Sequence, residues 1–213
     1  MKKKILILII FYTLTSCSER QKSSVNHTVD NSETNKYCLL GLQKFKSGDF
    51  KDAVELYSHA FELDSTNTEA IYMRGLSKGK LGDSDGAIND YSILIDIAPS
   101  DAGAYSNRAD EKVLLSKYEE ALKDYETAVR LDSNNADIYL NLGAHFLRLK
   151  RLPEADKALS KSIELNPNDP RAYHNRALAR GDMGKEDLAC SDSRKALELG
   201  LREAEEDVKD YCK

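Results

Sequence analysis

A chain of 213 residues with 41% apolar and 31% charged side chains has the material for a core and more charge than an average globular domain, which excludes a disordered chain. Its formal charge of −5 comes from acids and bases interleaved at helical spacing. No basic stripe of the kind that neutralises phosphates is present, which excludes a nucleic-acid binder and leaves a solvated mixed-charge surface.

Lys2, Lys3 and Lys4 precede about ten mostly apolar residues, 5–14, the charged and apolar regions of a secretory signal. The run is half the roughly 20 residues that a spanning helix needs. Leu14-Thr15-Ser16-Cys17 follows and resembles the bacterial lipobox, where the Cys receives a diacylglycerol and the chain is cut before it. The resemblance implies that 1–16 are a signal peptide that is removed and that Cys17 is the lipidated mature N-terminus, held irreversibly by several acyl chains. An ordinary signal with a coincidental cysteine is the other reading. Without the three lysines, 28 of the 31 basic residues face 36 acidic ones, a net of −8. Residues 17–33 hold only Val25 and Val29 as sizeable apolar side chains after the lipidated Cys, too few to order themselves. They read as a flexible tether spanning roughly 20–25 Å. Ser18 after the Cys is similar to lipoproteins sorted to an outer membrane, so the expected location is the bacterial cell envelope, lipid-anchored, with the face left open.

From Thr34 a 34-residue period runs without insertion to Glu203. The units are 34–67, 68–101, 102–135, 136–169 and 170–203, and 204–213 reads as a capping helix. The twentieth position is Ala53, Ala87, Ala121, Ala155 and Ala189; the eighth is Gly41, Gly75, Ala109, Gly143 and Ala177. Large apolar columns flank these small ones: Tyr37, Ile71, Tyr105, Tyr139 and Tyr173 at the fourth position, and Leu63, Ile97, Leu131, Leu165 and Leu199 at the thirtieth. Their spacing within a unit is helical, not alternating, and predicts two helices of about thirteen residues each. Breakers such as Gly48-Asp49 and Gly82-Asp83 separate them.

The pattern resembles the tetratricopeptide repeat (TPR), over about four fifths of the chain and in phase in five units. That resemblance implies an all-α fold, a right-handed superhelical solenoid of helix-turn-helix units with a C-terminal cap. The eleventh position departs from the usual aromatic: it is Lys44, Lys78, Lys112, Phe146 and Arg180, where the stems are expected to pack and the charges to reach water.

No catalytic constellation is legible. His27, His59, His145 and His174 lack metal-ligand spacing, and Asp83-Ser84-Asp85-Gly86 is no calcium loop, because Ser92 stands where the required Glu would be. No cofactor or metal is expected, and the chain reads as a binding protein, not an enzyme. Function then lies in the groove. In the family, the first helices line a concave side through the second, fifth, sixth, ninth, twelfth and thirteenth positions. Carried over, these present Leu39, Leu42, Phe45, Tyr72, Met73 and Leu76 at one end, and Ser106, Asn107, Asn141, Arg171, His174 and Asn175 at the other. The resemblance implies a protein partner offering a peptide segment or a helix. A surface lipoprotein that self-associates through the apolar patch, as a homo-oligomer, is the alternative. The family's clamp for C-terminal carboxylates does not carry over, because Asp110 stands in one of its columns and would repel a carboxylate.

An exported chain meets an oxidising space. With Cys17 lipidated and Cys38 far along the stack, Cys190 and Cys212 are the pair able to close; two thiols at a packing contact are the other reading.

Overall fold

The computed structural model describes residues 31–212; the signal peptide and Cys17 lie outside them. Among the described residues eleven helices form and no strand. They pair as α1 (Asn31–Ser47) with α2 (Phe50–Leu63), α3 (Thr68–Lys80) with α4 (Ser84–Ile97), α5 (Ala102–Leu114) with α6 (Tyr118–Leu131), α7 (Ala136–Arg148) with α8 (Leu152–Leu165), and α9 (Pro170–Asp182) with α10 (Glu186–Glu198). A short α11 (Ala204–Tyr211) closes the end. The first helix begins at Asn31, so the last residues assigned to the tether are helical: Glu33 in the first turn suits the positive end of the helix dipole.

The repeat dictates its own boundaries. Asn67, Asp101, Asn135 and Asp169 each precede a first helix and accept a bond from a backbone N–H in its opening turn, satisfying a donor that has no partner inside the helix. The turn within each unit needs one left-handed residue, which is Gly48, Gly82 and Gly184 in three units and Ser116 and Lys150 in the other two. The alanine column is completely buried at all five positions, since the two helices of a unit cross there. A Cβ on Gly41 would lie within about 3.0 Å of the Tyr57 ring, and one on Gly143 would lie 2.5 Å from Leu159. The thirtieth column is not core. Leu63, Ile97 and Leu131, each the last residue of a second helix, are about two-fifths exposed.

The eleventh column also behaves otherwise than expected. Lys78 and Lys112 do not reach for water: each lies 2.8 Å from a buried carboxylate, Asp90 and Asp124. Each carboxylate also takes an arginine from the seventh position, Arg74 at 2.7 Å and Arg108 at 2.8 Å. Unit five repeats the triad with Arg176 and Arg180, both 2.7 Å from Asp192. A charge this deep needs a partner within hydrogen-bonding reach, and two cations on one carboxylate supply it. In unit four the same three positions hold Leu142, Phe146 and Ala158, all buried. Lys44 alone keeps the expected exposure, bridging Asp52 at the surface.

Each first helix touches the first helices before and after it, whereas consecutive second helices do not approach one another. The first helices therefore form the tight inner face of the curve. The seventh-position arginines stitch units together on the outer side. Arg74 stacks over Phe61 of the preceding unit, while Arg108 donates to Ser92 and Arg176 to Ser160, each at 3.0 Å. Between units three and four the arginine is replaced by Leu142, and that junction, α6 against α7, is the sparsest of the four.

Cys190 and Cys212 are bonded, with Cα atoms 5.0 Å apart, and tie α10 to α11 across 22 residues. Cys38 is a buried free thiol. Closing a loop of that length stabilises by about 3.4 kcal/mol in the chain-entropy model. Cys212→Ser is expected to release α11 first, raising its amide exchange relative to that of α7 and α8. Uniform exchange across the array after that change would place the staple's effect elsewhere.

Candidate peptide-binding groove

The inner face can be followed helix by helix. At the N-terminal end Phe45 and Met73 are half-buried, packed on Cys38, Ala53, Tyr57, Ala60 and Ala70. Leu42 and Leu76 are half-buried as well, so this end is a shallow apolar floor with the 69%-exposed Leu39 above it. Tyr72 packs on Ile71, Leu94, Ile95 and Ala104, and its hydroxyl accepts from Asn107 Nδ2 at 2.9 Å. One expectation fails here: Ser106 is only 5% exposed, lying under the groove surface, not on it.

The middle of the groove is more polar. Asn141 Nδ2 donates to Asp110 Oδ2 at 3.1 Å, and the Tyr125 hydroxyl donates to the other oxygen of the same carboxylate. The two asparagine amides thus link neighbouring first helices through their Nδ2 atoms, which orients them. Burial, and the charge of Glu111 beside it, push the Asp110 carboxyl up to about 6 against the lowering effect of the Tyr125 bond. His145 is 2% exposed and lies 3.0 Å through Nε2 from the Tyr118 carbonyl. That carbonyl can only accept, so the Nε2–H tautomer is assigned from the network. Burial also holds its pKa below the usual histidine range. At the C-terminal end Arg171 binds Asp169 at 2.6 Å and Asp137 at 2.9 Å, and the Arg171 hydrogen bond holds the Asp169 carboxyl below the usual range. His174 Nδ1 lies 2.7 Å from Asp207 on α11, so the cap helix occupies part of the surface expected to face a ligand. Asn175 is partly buried.

Asp110, Val113, Leu114, Tyr125, Asn141, Ala144, His145 and Arg148 line one cleft of about 260 Å³ between α5 and α7. The sequence reading passed over most of these residues. Asp110 carried a signal, since it is an acid in the ninth column, where Leu42, Leu76, Ala144 and Leu178 stand in the other units. Among the described residues no group of three His, Cys, Asp or Glu is placed to hold a metal ion, and no helix is long and apolar enough to cross a membrane.

Known proteins bear on this geometry. A family described as TPR repeat matches residues 109–150, and families described as tetratricopeptide repeat match 69–101, 136–169 and 158–191. No curated protein matches. Among solved structures, the MamA protein is 26% identical, covers 81% of this chain and 94% of its own, and superposes with a TM-score of 0.68. A thermophilic TPR protein from Thermus thermophilus is 22% identical over 84% of this chain and 98% of its own, with a TM-score of 0.69. YrrB, a TPR protein with an unusual peptide-binding site, is 19% identical over 81% and 90%, with a TM-score of 0.63; at these last two identities the likeness is one of fold. Helix pairs at a 34-residue period, a curved inner face built from first helices and four repeat-family matches between residues 69 and 191 have one source: the chain is a tetratricopeptide repeat protein.

Proposed function

We propose that this protein is a lipid-anchored interaction module of the bacterial cell envelope, tethered through Cys17, that binds an extended segment of a partner protein along its inner face. The observation that carries the binding is the orientation of the asparagines. Asn107 and Asn141 donate through Nδ2 to Tyr72 and Asp110, so their carbonyl oxygens remain to accept backbone N–H groups from a bound chain. A peptide-binding site on the same fold in YrrB supports the reading. Catalysis finds no convergent nucleophile, base and oxyanion site among the described residues.

Leu39 and Leu114 are 69% and 67% exposed, so glutamate at both is expected to leave the fold intact. Crosslinking in intact cells should then lose the partners captured by the unaltered protein. An identical set of captured partners would move the site off the inner face. Cys17→Ala tests the anchor separately, by whether the protein leaves the membrane fraction. Self-association is the second reading, favoured by Leu39 and Leu40, both exposed on α1; light scattering on the purified protein discriminates, a stable dimer abolished by Leu40→Glu being its signature.

A further inference from the structure

Four acids at the helix interfaces invite comparison. Asp90, Asp124 and Asp192 are each neutralised by two cations within 2.8 Å. Asp110 is different: its oxygens accept from the neutral donors Tyr125 and Asn141, and no ion pair involves it among the described residues. In the same cleft, His145 Nε2 is bonded to a carbonyl, and Nδ1 is buried without a partner. With the tautomer that this bond imposes, Nδ1 carries a bare lone pair. A carboxylate with no counter-ion and an acceptor with no donor both call for N–H groups that carry positive charge.

The rest of the lining narrows the class. Val113, Leu114 and Ala144 give the cleft an apolar wall, and Leu114 is exposed, which suits the methylene stem of a long side chain whose head seeks the acid. The cleft's volume of about 260 Å³ takes one side chain, falling below the roughly 300–1,000 Å³ of pockets for drug-sized ligands. A metal ion is disfavoured because no third ligand converges among the described residues. Asn107 and Asn141 lie along the adjacent first helices, so a backbone held by their carbonyls passes over the cleft.

We infer that the cleft between α5 and α7 is a specificity pocket for a lysine or arginine side chain of the bound segment, with Asp110 as its counter-ion, His145 Nδ1 as a second acceptor, and Leu114 and Ala144 against the stem. The inference rests on the groove reading and adds the residue class that the groove selects. Arg148 stands at the rim and repels the cation, so it limits the affinity. The cleft also straddles the junction that lacks the arginine stitch, where a side chain reaching from α5 to α7 would tie two units together.

The test uses arrayed capped heptapeptides whose central residue is Lys, Arg, Gln, Leu or Glu and whose flanks are randomised, probed with the purified protein and two variants. The unaltered protein is expected to retain the Lys- and Arg-centred pools at least tenfold over the Gln pool. Asp110→Asn should erase that preference while still retaining peptides. Arg148→Gln should strengthen the Lys pool severalfold, an opposite effect that no loss of folding could imitate. Retention with no preference, or with preference for Leu or Glu, overturns the pocket and leaves the groove reading standing, as does a preference that survives Asp110→Asn. Retention of no pool by any of the three proteins overturns both.

Discussion

Asp124→Ala is expected to destabilise the array by about 3–5 kcal/mol, whereas the triple change Arg108→Leu, Lys112→Phe, Asp124→Ala should restore most of that loss. Removing the carboxylate alone strands Arg108 and Lys112, which are 17% and 11% exposed, and an orphaned buried charge costs about that much. Removing all three charges strands nothing, because a buried ion cluster gains little beyond its own desolvation cost. Unit four already shows the outcome, holding Leu142, Phe146 and Ala158 at these positions inside a packed core. Arg108 also donates to Ser92, so the triple variant should show a residual deficit of about 1 kcal/mol for the lost stitch. Urea unfolding followed by circular dichroism measures both variants, with the slope checked because stability in a repeat array is a sum over neighbours. A triple variant as unstable as Asp124→Ala would mean that the triad contributes specific stabilisation that apolar packing cannot replace.

The triads show where single-column reading stops. The alanines at the twentieth position and the caps Asn67, Asp101 and Asn135 are legible one position at a time, because burial and helix termini impose residue type locally. Lys78 and Lys112 are not. Alone, a lysine on a helix reads as solvated, and only the joint presence of arginine four residues earlier and aspartate twelve residues later, repeated in three units and absent as a set from unit four, marks them as internal. The start of α1 was hidden for a related reason: Asn31, Ser32 and Glu33 are polar, and a stretch without apolar residues has no hydrophobic periodicity to announce a helix. In the groove, the columns identified which residues line the inner face, but Ser106 and His174 depended on what covers them. His174 is taken by Asp207 of the cap helix, a contact that lies outside the repeat and so outside any column. The Asp110 cleft was half legible, as a charge that would repel a carboxylate; what a cation would gain there depends on Tyr125 and His145, which the chain brings in from α6 and α7.

Asp110→Asn should stabilise the free protein at neutral pH by up to about 3 kcal/mol, a difference that vanishes in acid. The carboxyl is pushed from its ordinary 3.8 up to about 6, and each pH unit of such a shift is worth about 1.4 kcal/mol. The sign follows from proton counting. Below about pH 4 the group is protonated folded and unfolded alike and imposes no charge on the cleft. Between about 4 and 6 the unfolded chain has released its proton while the folded chain holds it, so stability falls as pH rises. Above about 6 the full penalty stands. The groups facing this carboxyl are Glu111 on its own helix, Tyr91 on α4, Tyr125 on α6, and His145 and Arg148 on α7; Glu111 adds to the rise. His145, held below the usual histidine range, titrates in both proteins and cancels in the difference. Asparagine can keep both contacts with Asn141 unrotated, accepting from Asn141 Nδ2 through Oδ1 and donating through Nδ2 to the Tyr125 hydroxyl oxygen. Comparing melting temperatures of the two proteins at pH 4 and pH 7.5 reads the effect directly, with coincidence at the lower pH and separation at the higher. A variant less stable than the original at pH 7.5 would show that the carboxylate is satisfied within the free protein, and the reason for assigning it a cationic partner would be gone. A site that weakens the fold until it is filled is the usual cost of a binding function, and by linkage a Lys-centred peptide should stabilise the unaltered protein more than a Gln-centred one at equal concentration, a difference absent from Asp110→Asn.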